Sequence, residues 1–158
     1  MTPSLIVLVM ALAVSYQHPQ HDMATKVMGF DQTKTTHHFR LHPDGGAIEV
    51  TVKEATDATN LKAIRAHLPD VATQFAQGNF QSPMLVHHTP NVPGAAEMTT
   101  LKDKMAFEYR EMPSGGRIDI RTTDPSAIKA VHAFLTFQIT DHKTGDSLTV
   151  TPRRSGGT

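Results

Sequence analysis

The chain has no cysteine and no tryptophan among its 158 residues. The lack of cysteine excludes disulfide bonds, thiolate catalysis and thiolate metal sites, so the stability of the fold must come from its core. Fifteen basic and fifteen acidic side chains leave no net charge. The basic surface expected of a nucleic-acid-binding protein is therefore absent, and the sequence predicts no nucleic-acid partner.

Several motifs of known enzyme classes are also missing. There is no Gly-x-Ser-x-Gly nucleophile elbow, no glycine loop that would hold a phosphate, and no dinucleotide fingerprint. The histidine pair with an adjacent glutamate that marks a hydrolytic zinc helix is absent as well. What the chain does contain is ten histidines and eight methionines, an unusual supply of imidazole and thioether groups.

A single apolar run, LIVLVMALAV, occupies residues 5–14. It has the length of a signal-peptide core and is too short to cross a bilayer, and Ala11-Leu12-Ala13 provides a small-x-small cleavage pattern. We therefore interpret residues 1–15 as an export signal. The mature protein is expected to be periplasmic or secreted, without a transmembrane segment.

The chain contains an internal repeat. Residues 43–50 match residues 113–120 when the sequence is shifted by 70 positions, and residues 57–68 match residues 124–135 with a shift of 67. Each copy reads as strand, Gly-Gly turn, strand, helix. A hairpin is not stable alone, so the two copies are expected to merge into one sheet.

The predicted fold class is α+β: duplicated β-β-α units form one four-stranded antiparallel sheet with two helices on one face, a permuted ferredoxin-like order. Pro69 is expected to kink or break the first helix. The prediction divides the chain into an N-terminal helical segment (16–34), two repeats (35–78 and 103–142) within one domain (35–146), a long surface loop (79–102) and a C-terminal tail (147–158). The tail is expected to be disordered from about Pro152.

Strict alternation leaves one face of the sheet polar and uncovered. The residues expected on this open face are His38, Arg40, Glu49, Glu108, Arg110, Asp119 and Arg121, with His42 at its rim. Arg40, Glu108 and Arg110 are the candidate ligand-binding residues, for a small molecule or for a second copy of the chain in a homodimer. A third possibility is an acid/base enzyme that uses His38 with Glu108.

The N-terminal segment suggests a metal site. If it is helical, His18, His21 and Met28 lie on one stripe. Neutral imidazole and thioether groups are ligands that favour copper. If the helix folds back over the sheet, these three could close on an ion with His38 and His42. Copper binding is the leading functional prediction from the sequence, ahead of the module that binds a ligand or dimerises.

The other histidines are weaker candidates, because the repeat allows each to be compared with its counterpart. His37 corresponds to Phe107 and His67 to Phe134, which indicates partly buried fillers. The position equivalent to His132 is occupied by an arginine, which favours exposure. The remaining histidines lie in the predicted loop or at a helix end: His87, His88 and His142.

Two stretches carry a resemblance to known proteins. Residues 28–39 read MGFDQTKTTHHF, and residues 134–146 read FLTFQITDHKTGD. Both are similar to motifs of a group of uncharacterised exported bacterial proteins, and the similarity covers most of the mature chain. The resemblance implies export and assigns no activity to any residue.

Overall fold

The structure is a computed structural model that describes residues 25–153. The predicted signal peptide, His18 and His21 lie outside the described residues. Residues 25–28 are helical, and Gly29 ends this turn with a positive φ of 75°, donating its N–H to Thr25 O at 2.8 Å. Gly29 therefore acts as the C-cap of this helical turn.

Eight main elements follow. In chain order they are β1 (Thr35–His42), β2 (Gly45–Val52), α1 (Ala58–Ala76), α2 (Gln81–Val86), α3 (Ala95–Thr100), β3 (Ala106–Met112), β4 (Gly115–Arg121) and α4 (Pro125–Asp141). Short 3₁₀ turns at Gln32–Lys34 and Lys102–Lys104 precede β1 and β3.

The four strands form one antiparallel sheet in the order β1-β2-β4-β3, which confirms the predicted fold class. Ile48 on β2 lies directly opposite Ile118 on β4. These two residues are equivalents in the internal repeat, so the two units meet about a pseudo-two-fold axis at this pair. The two units are thus joined through their second strands, β2 and β4, and their first strands, β1 and β3, form the edges of the sheet.

Both long helices pack on one face of the sheet, as predicted. Asp57 caps α1 by accepting from Asn60 N, and Asp124 caps α4 by accepting from Ser126 N and Ala127 N. Each cap satisfies N–H groups that a helix start leaves free. The helices and the sheet enclose a core that includes Ile64, Phe75, Ile118, Ile120, Val131, Phe134 and Leu135.

Of the kink or break expected at Pro69, the break is wrong, because α1 continues through this residue to Ala76. Apolar residues are buried on both sides of the proline, including Leu68 at 3% and Phe75 at 2% exposure. Burial of this face stabilises the helix by more than the one backbone hydrogen bond that proline removes.

The predicted loop at 79–102 is also wrong, since α2 and α3 lie within it. Pro83 stands in the first turn of α2, where a missing N–H costs nothing. Gly94 precedes α3 with a φ of 78°. Phe80, Val92 and Met98 enter the core. The prolines and glycine here mark helix starts, which sequence patterns alone do not distinguish from loop residues.

The C-terminal residues cross the open face of the sheet, so the predicted disordered tail is wrong for Pro152 and Arg153. Thr151 N donates to Leu41 O at 3.0 Å, and the Arg153 side chain, 15% exposed, bonds to Asp44 and Asp119. The buried carboxylate of Asp119 on β4 and the partly exposed carboxylate of Asp44 in the first hairpin turn therefore fix this segment in place. Within the described part of the chain, no helix is long and apolar enough to cross a membrane.

Candidate functional site

The open face of the sheet carries a network of charged side chains centred on Asp119. Its carboxylate is fully buried although it points away from the helices. Arg117 Nε donates to it at 2.9 Å, Arg153 Nη1 donates at 2.6 Å, and Arg110 Nη2 also donates to it. Burial by itself would raise the pKa of Asp119, but the hydrogen bonds and charges of Arg117 and Arg110 outweigh it and lower that pKa below 3.8.

Around this centre lies a cleft with a volume of about 980 Å³. Its lining includes five arginines: Arg40, Arg110, Arg117, Arg121 and Arg153. These guanidinium groups form ion pairs with four carboxylates, those of Asp44, Glu49, Asp119 and Asp146. The network therefore carries one more positive than negative charge.

Three of the arginines keep much of their surface in the cleft. The side chains of Arg40, Arg110 and Arg121 are 40%, 60% and 42% exposed. Arg117 and Arg153, in contrast, are 18% and 15% exposed and are fixed by several hydrogen bonds. A guanidinium has five N–H donors. The partly exposed arginines can therefore donate to a bound anion without releasing Asp119.

The predicted ligand-binding residues separate into two places. Arg40 and Arg110 both line the cleft. Glu108 is exposed on β3 and is not part of the lining. His38 lies on β1, the opposite edge strand, so two strands stand between it and Glu108. Three strand spacings place β1 and β3 about 14 Å apart, so the structure does not form the dyad of His38 with Glu108.

The described members of the predicted metal set also lie apart. Met28 is buried on the helix side of the sheet. On the open face, His38 Nδ1 bonds to Asp146 Oδ1 at 2.9 Å, and His42 Nδ1 donates to Thr151 O at 2.7 Å. His38 and His42 are four residues apart on β1, a separation of about 13 Å. No group of three or more His, Asp or Glu side chains within residues 25–153 is arranged to hold a metal ion.

A second candidate site lies between the sheet and the helices, where four histidines line a cavity of about 80 Å³: His37, His67, His87 and His142. The ring centroids of His37 and His142 are 5.5 Å apart, and those of His87 and His142 are 4.8 Å apart. Met28 lines the same cavity. The cluster forms because α2 brings His87 against the end of α4.

Burial keeps most of these imidazoles neutral. It lowers the pKa of His37 from 6.5 to about 3, with repulsion from His142 adding to the shift. It also lowers the pKa of His142 to about 4 and, to a smaller extent, the pKa of His67. Each of these neutral rings therefore has one nitrogen with an available lone pair at neutral pH.

His87 differs from its neighbours because polar partners hold both of its ring nitrogens. Nδ1 lies 2.5 Å from Asp141 Oδ2, and Nε2 lies 2.9 Å from Gln138 Oε1. Its side chain is only 2% exposed. His132 has a structural role, since its Nε2 donates to His42 O at 2.9 Å and to Gly45 O at 3.0 Å and so ties α4 to the first hairpin turn.

The sequence only partly indicated this cluster. Alternation placed His37 on the inner face, and the repeat identified His37 and His67 as fillers equivalent to phenylalanines. Both histidines contact Phe30, at centroid distances of 5.8 and 5.7 Å, as fillers would. Nothing in the linear pattern brings His87 and His142 to them, because that contact requires α2, and the sequence predicts a loop there.

Comparison of the chain with known protein families, with curated proteins and with solved structures found no match. The resemblance to exported bacterial proteins therefore stays a prediction.

The chemistry of the two sites differs. The cleft on the open face is large, accessible and rich in N–H donors, which suits an anionic ligand. The histidine cavity is small and its walls are mostly apolar. Of the two, only the cleft falls within the usual volume range of small-molecule sites, about 300–1,000 Å³.

Proposed function

We propose that this protein binds a small organic anion in the arginine cleft on the open face of its sheet. The observation that carries the proposal is the convergence of five guanidinium groups on one cleft of about 980 Å³. Planar guanidinium groups bind carboxylate and phosphate oxygens through paired hydrogen bonds. The proposed function is therefore ligand binding, and it requires no catalytic residue in the cleft.

The layout of the arginines favours a ligand with more than one acidic group. Arg40 lies on β1 and Arg110 on β3, at the two outer strands. Arg117 and Arg153 lie between them, held in place by Asp119. A ligand with two or three carboxylate or phosphate groups can therefore contact several guanidiniums at once. Because Arg117 and Arg153 are already fixed, less side-chain entropy is lost when a ligand binds.

Calorimetric titration with citrate and with inorganic pyrophosphate tests this proposal. Arg40→Gln and Arg121→Gln each remove one partly exposed guanidinium and are expected to weaken binding by roughly tenfold to a hundredfold, the size of a charged hydrogen bond. Lys129→Gln is the matched control, because Lys129 is exposed on α4 across the sheet and its loss changes the net charge equally.

The pattern across the variants decides the outcome. Weaker binding in both arginine variants with unchanged binding in Lys129→Gln supports the cleft as the site. An equal decrease in all three indicates a nonspecific effect of net charge, and the absence of binding by either anion to the parent protein overturns the proposal.

Copper binding remains a second proposal, supported by one observation. Met28 lines the cavity that also holds His37 and His142, whose low pKa values leave their imidazoles unprotonated. His18 and His21 precede Met28 by no more than ten residues. An N-terminal site that uses a thioether and imidazoles is therefore chemically suited to copper.

Titration of the mature protein with copper in both oxidation states tests this second proposal. It requires stoichiometric binding that weakens in His21→Ala, Met28→Leu and His142→Ala. His88→Asn is the control, because His88 is exposed and has a positive φ that asparagine tolerates. Unchanged affinity in the first three variants would show that the metal residues are misassigned.

Two finer proposals accompany these. Export is supported by the apolar run at residues 5–14 and its cleavage pattern. N-terminal sequencing of the protein recovered from the culture medium or periplasm tests it, and an uncleaved Met1 would contradict it. Self-association into a homodimer is supported by the outer edge of β3, which is unpaired among the described residues.

A further inference from the structure

The two edges of the sheet differ in how their backbone groups are used. On β1, Phe39 N donates to Asp146 Oδ2 at 2.9 Å, and Leu41 O accepts from Thr151 N at 3.0 Å. The C-terminal segment therefore covers this edge. On β3, no strand of the described chain pairs with the outer side. Alternate N–H and C=O groups of an edge strand point away from the sheet and can pair with another strand.

The sequence of β3, AFEYREM, lacks most of the features that usually block such pairing. It contains no proline, no glycine and no lysine, and all seven residues are paired in regular register with β4. Glu108 and Arg110 point to the open face on either side of Tyr109. Natural sheets protect exposed edges with proline, bulges or charged side chains, lysine above all. Of these β3 has only three charged side chains, and two of them, Glu108 and Arg110, carry opposite signs and can pair with a second copy of the strand.

We propose that two copies of this chain pair antiparallel through β3, with the two-fold axis at Tyr109, and so form a continuous eight-stranded sheet. In this register Glu108 lies opposite the partner's Arg110, and Arg110 lies opposite the partner's Glu108. Because the axis is perpendicular to the sheet, the helices of both copies share one face. This interface is independent of the anion proposal and requires no ligand.

Charge complementarity selects this register over its neighbours. A two-fold axis at Glu108 would place Glu108 opposite its own copy, and an axis at Arg110 would do the same with two arginines. Like charges directly opposite destabilise a strand pair, and unlike charges stabilise it. Only the axis at Tyr109 forms two symmetric pairs of opposite charge.

The side chains in this register are free to make the contact. Glu108 is exposed, and its carboxylate takes part in no ion pair among the described residues. Arg110 uses Nη2 to bind Asp119, and its side chain is 60% exposed, so other N–H donors remain for the partner's Glu108. Arg110 and Met112 also line the arginine cleft. Pairing through β3 would therefore bring the clefts of the two copies side by side.

Sedimentation velocity of the mature protein over roughly a hundredfold range of concentration, without added anion, tests the interface. The parent protein is expected to show a monomer–dimer equilibrium. Glu108→Arg converts both cross-strand pairs into repulsions and is expected to weaken dimerisation by roughly tenfold or more. The double variant Glu108→Arg/Arg110→Glu restores opposite charges and is expected to recover most of the affinity.

Arg110→Glu removes a partner of Asp119, so a misfolded double variant would obscure the rescue. Hydrogen exchange of the parent protein provides a measurement without mutation. Amides of β3 should gain protection as the concentration rises, while those of β1 should not. A parent protein that is monomeric throughout, a dimer unaffected by Glu108→Arg, or unchanged β3 exchange across the transition would each overturn the proposal.

Discussion

Acidification from about pH 7.5 to about pH 5 is expected to lower the free energy of unfolding by about 4 kcal/mol through His37 and His142. Domains of this kind have total stabilities of about 5–15 kcal/mol, so this loss would be a large part of the whole. The cause is the histidine cavity, which holds these two rings away from water in the folded protein and releases them on unfolding.

The sign and size of this change in the free energy of unfolding follow from the pKa values of the two histidines. The folded pKa is about 3 for His37 and about 4 for His142, against 6.5 for the exposed group. Because the folded values are the lower ones, this stability is fully present above the unfolded pKa and is lost as the pH falls. At about pH 5 each unfolded ring has bound a proton and each folded ring has not. Over the 1.5 pH units from 6.5 to 5, the free energy of unfolding therefore falls by about 2 kcal/mol for each ring.

Two features make the window from pH 7.5 to 5 suitable. Both rings are neutral in the folded protein throughout it, so their mutual repulsion does not enter the sum. Hydrogen bonds and charges hold the pKa values of Asp119 and Asp146 below 3.8 despite their burial, so these carboxylates stay ionised there. Their contribution would be lost only at lower pH. His67, whose pKa burial also lowers, adds to the slope in the same direction.

Urea unfolding at several pH values in this window measures the effect. The double variant His37→Phe/His142→Phe is expected to lose most of the pH dependence, and phenylalanine already occupies the equivalent of His37 at Phe107. The exposed-residue variant His88→Asn is expected to keep it. A double variant as pH-dependent as the parent protein would refute the reasoning, as would an equal loss in His88→Asn.

Two further predictions concern stability at neutral pH. Arg153→Met is expected to destabilise the protein by about 2–4 kcal/mol in urea unfolding, because it removes one of three guanidinium donors from buried Asp119 and the side-chain donor to the carbonyl groups of Gly46 and Ile120. A loss near zero would contradict this role for the C-terminal segment. Gly46→Ala is expected to lower thermal stability more than Gly116→Ala, which changes the equivalent position of the repeat. At Gly46 the new Cβ would lie 2.5 Å from the Arg40 carbonyl oxygen, whereas at Gly116 it would contact only side chains, which can move. Equal losses of thermal stability in the two variants would contradict this prediction.

The fold could be predicted because its information is local. Alternation along 35–52 marked the first hairpin, and the repeat carried this assignment to the other half of the chain. These signals depend on backbone geometry and on burial of one face, which short stretches of sequence express directly. The same rules gave wrong predictions for proline, which occurs both in loops and in helices. Pro69 lies inside α1, and Pro83 lies in the first turn of α2.

Residues of the candidate sites could be predicted only where alternation along a single strand determines the face of the sheet on which they lie. Arg40 was placed on the open face because its neighbours Phe39 and Leu41 had to face the core. The proposed pairing of His38 with Glu108 was not found, because it depended on strand order, and the pseudo-two-fold arrangement puts both first strands at the outer edges. Asp119 was placed on the correct face, but its burial depends on Arg153, which is 34 residues away.

By itself, the sequence determined the two hairpin-helix units, the side of the sheet that the helices cover, and the charged character of the other side. Only the tertiary structure decided that His37, His87 and His142 meet around one cavity and that the C-terminal segment crosses the arginine cleft. The physical reason is distance along the chain. Periodicity and capping act over a few residues, whereas these contacts join segments that only the packing of the whole domain brings together.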